Sequence, residues 1–579
     1  MGVLTIYALA VLGAGMAVVG CFAGAGAPAT IGSTLYMAVA WGSFLGLAAL
    51  FVQARRTRWQ TVMEWLLLAG ILGIVANALL SLVDAELSLP LAARYLLTGG
   101  LVGLPTQLEA LGLRPGQWVP PLVLLTGMVA VGALLSNRFR GALCVGHAAH
   151  RWSVLAGLIA CAAGSAWMTR GRLSPSPFES RAVPVFRVGS PAMPLAQEAA
   201  GGFRTNGPHL LFIVIESLRG DMLDHETAPH LWALRQEAVR SADAVSAANA
   251  THVTWHALFN RASPLSYGPR ARHLMEGSPL VRCLQSAGYA IHVCGGSNLG
   301  YYDADTAFFG ADHRLTASFA DGRFYPSMSI GDRDATAVAS VCARINEAPS
   351  RPQALFVFLE STHHDYAWAT DFQPPFAPYL SWDTLDYFTR EPKCLLLLTN
   401  RYRNSIRYVD SLVGRMLAAA RESGTWDRWA LFVTGDHGEE FREKGHLFHA
   451  SALTREQTTV PVFLRLPGVP PGRPNGAVFS HHAATILLDR YLREGPASAS
   501  APLPPYALCV AGNLGASPTS FFIADGTRKF MFERTQSAYA DDLVALVAVL
   551  DFNDNPLPML DADRHEAWQR LSAFFTRVE

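Results

Sequence analysis

Three places in the sequence set carboxylates and imidazoles directly behind a short apolar run. Leu210 to Ile215 is followed by Glu216, Ser217, Arg219 and Asp221. Ala354 to Leu359 is followed by Glu360, Ser361, His363, His364, Asp365 and Tyr366. Ala430 to Gly435 leads into Asp436, His437, Gly438 and Glu439, with His446, His449 and Ser451 close behind. Carboxylate oxygens and imidazole nitrogens are the ligands of hard or borderline divalent cations. Singly, each piece is weak: Glu216 could as well cap a helix, and adjacent histidines at 363 and 364 suggest one acting residue beside an exposed one. The i, i+3 spacing of His446 and His449 gives one shared face on a helix, while Gly445 makes a loop equally plausible. A fourth segment brings hydroxyls. Ser246, Thr251 and Thr254 all qualify as nucleophiles, and Asn249 is placed to cap a helix with Thr251 in its first turn, where backbone N–H groups favour a bound phosphate.

The elements that must position these groups follow from the apolar pattern. Runs at 209–215, 290–294, 354–359, 429–434 and 460–466 are predicted strands, and 227–239, 335–346 and 394–420 are predicted helices between them. Strands alternating with helices predict an α/β domain with a mostly parallel sheet, whose ligands collect beyond the carboxyl ends of the strands. The three acidic and histidine segments would then share one sheet edge.

The chain has 579 residues, 50% hydrophobic and 16% charged, with 46 basic against 46 acidic residues, which excludes a globally basic nucleic-acid binder. The balance conceals two unlike parts. Residues 1–168 hold eight arginines, no lysine and four acidic residues, leaving 38 basic against 42 acidic residues beyond them. Apolar stretches at 3–22, 31–52, 62–83, 118–136 and 153–168 approach the ~20 residues that a membrane-crossing helix needs. The arginines at 55, 56, 58, 138, 140 and 151 place the intervening loops inside and everything after residue 169 outside. Five spans are therefore expected, with 89–104 at the outer interface or re-entrant, then a linker over 169–207 and an external domain over 208–579. Five cysteines in the external part cannot all pair with one another, and no paired spacing suggests structural zinc.

The ordered motifs resemble the alkaline phosphatase superfamily, in its membrane-anchored sulfatase-like branch of lipoteichoic acid synthases and phosphoethanolamine transferases. Those carrying the resemblance are Ile215-Glu216-Ser217, Asn249-Ala250-Thr251 up to Leu258-Phe259, Ser361-Thr362-His363 with Tyr366, Gly435-Asp436-His437-Gly438-Glu439, and His449-Ala450-Ser451 before Gln457 and Val460-Pro461. The resemblance implies an alkaline-phosphatase-like α/β domain behind a five-helix transmembrane bundle. It also implies one divalent metal ion (zinc, manganese or magnesium) on Glu216, Asp436, His437 and Thr251. The family's spacing selects Thr251 as catalytic nucleophile, with His363, His446 and His449 as substrate-binding residues. Formylglycine sulfatases need Cys or Ser followed by x-Pro-x-Arg, and Thr251 to Trp255 has none of these, so that chemistry is not expected.

The implied function is transfer of a phospholipid head group, phosphoethanolamine or phosphoglycerol, through a phosphothreonine to an external glycan or lipid. The expected location is a bacterial inner (plasma) membrane, with the C-terminal domain periplasmic or extracellular. Two alternatives stand beside it: a phosphohydrolase of the same fold, and a non-catalytic membrane regulator that binds lipid. The residues before Thr251 are not the Cys-Gly of the lipid A enzymes, and the run from Gly435 to Phe441 followed by His449-Ala450-Ser451 is closer to the glycerol-phosphate and regulator members.

Overall fold

A computed structural model describes residues 184–188 and 202–575, except 269–274, 301–302, 348–350, 364, 382–391, 475–477, 513–519 and 535–541. The chain divides into two compact units, and every described residue belongs to the one built mainly from Val183–Gln536 and Asp541–Glu579. The five expected spans lie outside the described residues, among which no helix is long and apolar enough to cross a membrane.

In chain order the strands are β1 (Val185–Val188), β2 (His209–Ile215), β3 (Val239–Val245), β4 (Ala290–Gly295), β5 (Ser318–Ala320), β6 (Gln353–Leu359), β7 (Trp429–Gly435), β8 (Glu440–Phe441), β9 (Leu447–Phe448), β10 (Thr459–Arg465), β11 (Ala507–Val510), β12 (Ser520–Ala524), β13 (Arg528–Arg534), β14 (Asp542–Asp551) and β15 (Pro556–Leu557). Five helices matter for the site: α1 (Thr251–Asn260), α2 (Ile330–Asn346), α3 (Pro392–Glu422), α4 (His481–Glu494) and α5 (Asp561–Leu571).

The central sheet has the order β3-β10-β7-β2-β6-β4-β5. The pairings from β7 through β5 are parallel, and β10 runs antiparallel to both β7 and β3, so the sheet is mixed rather than uniformly parallel. Every residue of β2, β6 and β7 is buried, as continuous apolar runs require when both faces of a parallel sheet are covered. Phe212 stands in register with Phe356 and Phe432, its ring 5.4 Å and 4.4 Å from theirs. Register also aligns the strand ends: Ile215 faces Leu359 on one side and Gly435 on the other. Glu216, Glu360 and Asp436, each one residue further on, therefore emerge level at the same edge.

A second, antiparallel sheet runs β1-β14-β13-β12-β11, with β15 on β14. Its own core includes Phe186, Phe521, Phe530 and Phe532, together with Ala567 and Leu571 of α5. This sheet touches the segment before α1: the Val510 N–H donates to the Ala247 carbonyl at 3.0 Å, and the Asn249 N–H to the Val510 carbonyl at 3.3 Å.

Two expectations change. Residues 185–188, within the stretch read as linker, form β1 against β14, because the alternation puts Phe186 and Val188 into the second core and leaves Arg187 outside. The helix expected over 227–239 is confined to Pro229–Leu234, and the chain re-enters the sheet at Val239 as β3. That short helix is held from outside, its His230 and Leu231 N–H groups donating to Asp410 of α3. Cys283, Cys294, Cys342, Cys394 and Cys509 are all free.

If β1 is part of the folded unit, Phe186→Ala should destabilise it by about 3 kcal/mol, the cost of an emptied aromatic core position. Urea unfolding of the full chain should show a lowered midpoint, whereas truncating Arg187, the exposed residue of the strand, should change it little.

Candidate metal and nucleophile site

Glu216 leaves β2 with its N–H bonded to the Leu359 carbonyl of β6 at 2.9 Å, and its own carbonyl accepts from the Thr362 hydroxyl. The next residue turns sharply. Ser217 has a φ of +52°, and its N–H donates to Asp436 Oδ1 at 2.9 Å. The Tyr402 hydroxyl of α3 fixes this turn by donating to the Ser217 carbonyl and accepting the Arg219 N–H. Glycine is obligatory on the β7 side of the same crossing. A Cβ on Gly435 would stand 2.5 Å from the Leu218 carbonyl oxygen, and one on Gly438 only 1.9 Å from that of Glu456.

Asp436 accepts on both oxygens. Oδ1 takes the N–H groups of Ser217 and His437, and Oδ2 takes the indole N–H of Trp255 at 3.1 Å. The His437 Nδ1 lies 2.9 Å from the Gly438 carbonyl, which assigns the proton to Nδ1 and leaves the Nε2 lone pair inward. That Nε2 lies 3.0 Å from Thr251 Oγ1, 3.3 Å from Glu216 Oε1 and 3.7 Å from Asp436 Oδ1. Thr251 Oγ1 donates to Glu216 Oε1 at 2.8 Å.

Glu216, Asp436 and His437 are buried, and each offers one ligand atom within 4.8 Å of the others. Four ligands placed ~2.1 Å from one zinc-like ion in a tetrahedron stand ~3.4 Å apart. The separations here bracket that value. Two buried carboxylates beside a neutral imidazole also form a donor set that lacks positive charge of its own, and unpaired buried charge is costly. The residues present therefore fit a divalent cation.

Thr251 is the first residue of α1, an entirely buried helix whose N-cap is Ala250, in extended conformation and without a side-chain cap. Asn249 does not cap it. Its amide donates to the Ala452 carbonyl and Gln457, and its oxygen accepts the Gly512 N–H at 2.6 Å. A cap needs the side chain to fold back onto the helix's own N–H groups, and the second sheet and the 450s loop claim it instead.

His449 and His363 stand beside the cluster. The His449 ring centroid is 4.2 Å from that of His437 and 5.4 Å from that of His363, with its Nδ1 3.3 Å from Glu439 Oε1. His446 lies in the connection between β8 and β9. Its N–H donates to Glu440 and its carbonyl accepts from Arg442 in the β8–β9 hairpin, so no helix joins it to His449, and its Nδ1 has no hydrogen-bond partner among the described residues.

The Sulfatase family model matches residues 208–487. Residues 208–487 are a sulfatase-family domain. Similar solved structures include the lipoteichoic acid synthase LtaP from Listeria monocytogenes, at 14% identity over 64% of this chain and 90% of that one, with a TM-score of 0.45. The phosphonate monoester hydrolase of Agrobacterium radiobacter is 16% identical over 63% of this chain and 94% of its own, with a TM-score of 0.45. A protein of the alkaline phosphatase superfamily from Vibrio parahaemolyticus is 14% identical, covering 66% and 95%, with a TM-score of 0.44. No curated protein matches the sequence.

Several residues of the sulfatase-family domain support the site beyond the expected ligands, nucleophile and histidines. Trp255 is one, and its signal was the i, i+4 spacing from Thr251 that puts both on one helical face. Gln457 is another: its amide donates to Glu440 and Ser451 and its oxygen accepts from Ser451, Ala452 and Asn249, which ties the His449 loop to the start of α1. His481 at the start of α4 lies 3.0 Å from the Gly435 carbonyl through Nε2 and accepts the Ala247 N–H on Nδ1, neutral because burial lowers its pKa to about 3. Nothing local in the sequence marks it. Asp334 of α2 anchors the strand end before His363, accepting the N–H groups of Glu360 and Ser361 and the Ser361 hydroxyl.

Two outcomes are expected. Trp255→Phe leaves Asp436 Oδ2 without its indole donor and should lower divalent-metal affinity 10- to 100-fold in chelator competition, a typical cost of losing an outer-shell partner. Burial pushes the Asp334 carboxyl up to about 6 against the donors around it. Its folded value exceeds its unfolded one, so its contribution to stability is full below about pH 4 and is lost as pH rises through about 6. The stability difference between wild type and Asp334→Asn, from urea unfolding, should accordingly shift by up to ~3 kcal/mol across that window.

Proposed function

We propose that the sulfatase-family domain is a metal-dependent phosphotransferase acting on a phospholipid head group, phosphoethanolamine or phosphoglycerol, through Thr251. The observation that carries this is the hydroxyl of Thr251, within 3.0 Å of two of the three candidate ligands and in the first turn of α1. When bound, a divalent cation supplies the charge that lowers the pKa of this hydroxyl and offsets charge developing on phosphorus. Glu216, Asp436, His437 and Thr251 would hold it; their oxygen and nitrogen set suits zinc or manganese, and magnesium less well because of the imidazole.

The chain's own groups account for the remaining work. Glu216 Oε1 is placed to accept the Thr251 proton. Oγ1 then forms a bond to phosphorus as the bond to the diacylglycerol oxygen breaks, and His449, oriented by Glu439, protonates that oxygen. His363 completes the row of imidazoles over the phosphoryl oxygens. An external glycan or lipid hydroxyl then takes the group from Thr251, and the donor lipid would come from the membrane in which the N-terminal segments are expected to sit, with the domain on its outer face. A formylglycine route is chemically closed to a threonine.

Intact-mass spectrometry of the full-length protein, incubated with mixed micelles of phosphatidylethanolamine or phosphatidylglycerol, tests the proposal. A head-group phosphate adduct on Thr251 with release of diacylglycerol is expected. Thr251→Ala should show none and lose about 10³-fold or more in turnover. Diacylglycerol release that persists unchanged in Thr251→Ala would sink the nucleophile assignment. Free head-group phosphate without modified acceptor would replace transfer by hydrolysis.

A further inference from the structure

Apart from the metal cluster, a cleft of about 420 Å³ opens beside β3, the edge strand of the central sheet. Arg235, Arg240 and Arg473 make its basic side, and Trp232, Phe463 and Phe479 its apolar side. None of Glu216, Thr251, Asp436 and His437 lines it. The Arg240 guanidinium donates to the Arg235 carbonyl, and the Arg235 guanidinium lies 3.8 Å above the Trp232 ring, which is 38% exposed.

Among the described residues none of these three arginines pairs with a carboxylate. Asp243 also lines the cleft, but Arg455 already sits 3.4 Å from it. Glu237, close in sequence, is engaged with Arg421 at 2.8 Å. Residues 475–477, next to Arg473, are Asn, Gly and Ala and bring no negative charge. Burial and the neighbouring charges of Arg235 and Arg473 hold the Arg240 pKa below its usual value, the mark of like charges gathered in one place. A solvated basic face spreads its charges over a convex surface. Here they converge in a concavity whose volume lies within the small-ligand range.

We propose that this cleft binds a phosphate or sulfate ester, its tetrahedral oxyanion held by Arg235, Arg240 and Arg473 and its organic portion lying on the aromatic wall. Guanidinium groups present forked donors that match such oxyanions bidentately. The site is independent of the transfer reaction, and the ester can reach it free in solution or carried on a lipid.

Calorimetric titration of the full-length protein in detergent, as Thr251→Ala so that nothing turns over, tests this with three probes: inorganic phosphate, phenyl phosphate, and mixed micelles containing phosphatidic acid. Phenyl phosphate should bind about tenfold more tightly than inorganic phosphate, and Trp232→Ala should erase that preference. Adding Arg235→Gln and Arg473→Gln should weaken binding at least tenfold, with Arg235→Lys and Arg473→Lys falling between, whereas adding Asp436→Ala should leave it unchanged. Saturable binding of the soluble ester supports a free ligand, and binding to the phosphatidic acid micelles alone supports a lipid-borne one. No saturable binding of any probe, or binding abolished by Asp436→Ala but kept in the arginine-to-glutamine variant, overturns the proposal.

Discussion

The Asp436 carboxylate is the joint on which the site turns. Its oxygens accept from the Ser217 backbone, the His437 backbone and the Trp255 indole, so one side chain couples the turn after β2, the turn after β7 and the helix that carries Thr251. Each donor favours an ionised acceptor, and each comes from a different chain segment. The charge that unites these segments is buried, and a buried charge needs compensation beyond neutral donors. The arrangement therefore fits a cation while already being held in shape by hydrogen bonds.

Around that joint the packing leaves little freedom. The three Phe residues aligned across β6, β2 and β7 set the strands in register, and register sets the height at which Glu216 and Asp436 leave the sheet. Glycines at 435 and 438 let two backbones cross where a Cβ would collide. Glu440 then organises the hairpin beyond, accepting from the backbone at 444 and 446 and from the side chains of Thr454 and Gln457. The same carboxylate that aims the His449 loop toward the cluster holds the His446 backbone in the hairpin.

Much of this is legible in the sequence. Strand ends marked by an apolar run and a sudden carboxylate or histidine are weak signals singly and strong together, and jointly they place Glu216, Asp436, His437 and the His363 segment at one edge. The remainder depends on contacts distant in sequence. Asn249 looked like a helix cap because local pattern cannot reveal that Gly512 and Gln457 compete for its amide. His446 and His449 share a face only on a helix, and the buried Glu440 imposes a hairpin. β1 is four residues long in a stretch rich in Pro and Gly, so its alternation was too short to stand out, and the second sheet carries no chemistry that would draw attention to it. The expected membrane spans lie outside the described residues.

The pairing of β1 with β14 has a consequence for the order of events in biosynthesis. Val185 finds its partner in Ala545, and Asn249, two residues before Thr251, is bracketed by Val510 and Gly512. The residues matched by the family end at 487, yet the segment leading into α1 is pinned by chain made later. Long-range closures of this kind form late because their loop entropy must be overcome first. A growing chain long enough to contain every candidate metal ligand would still lack the strands that hold the segment before Thr251, so the site would stay unassembled until β11 to β14 have been made.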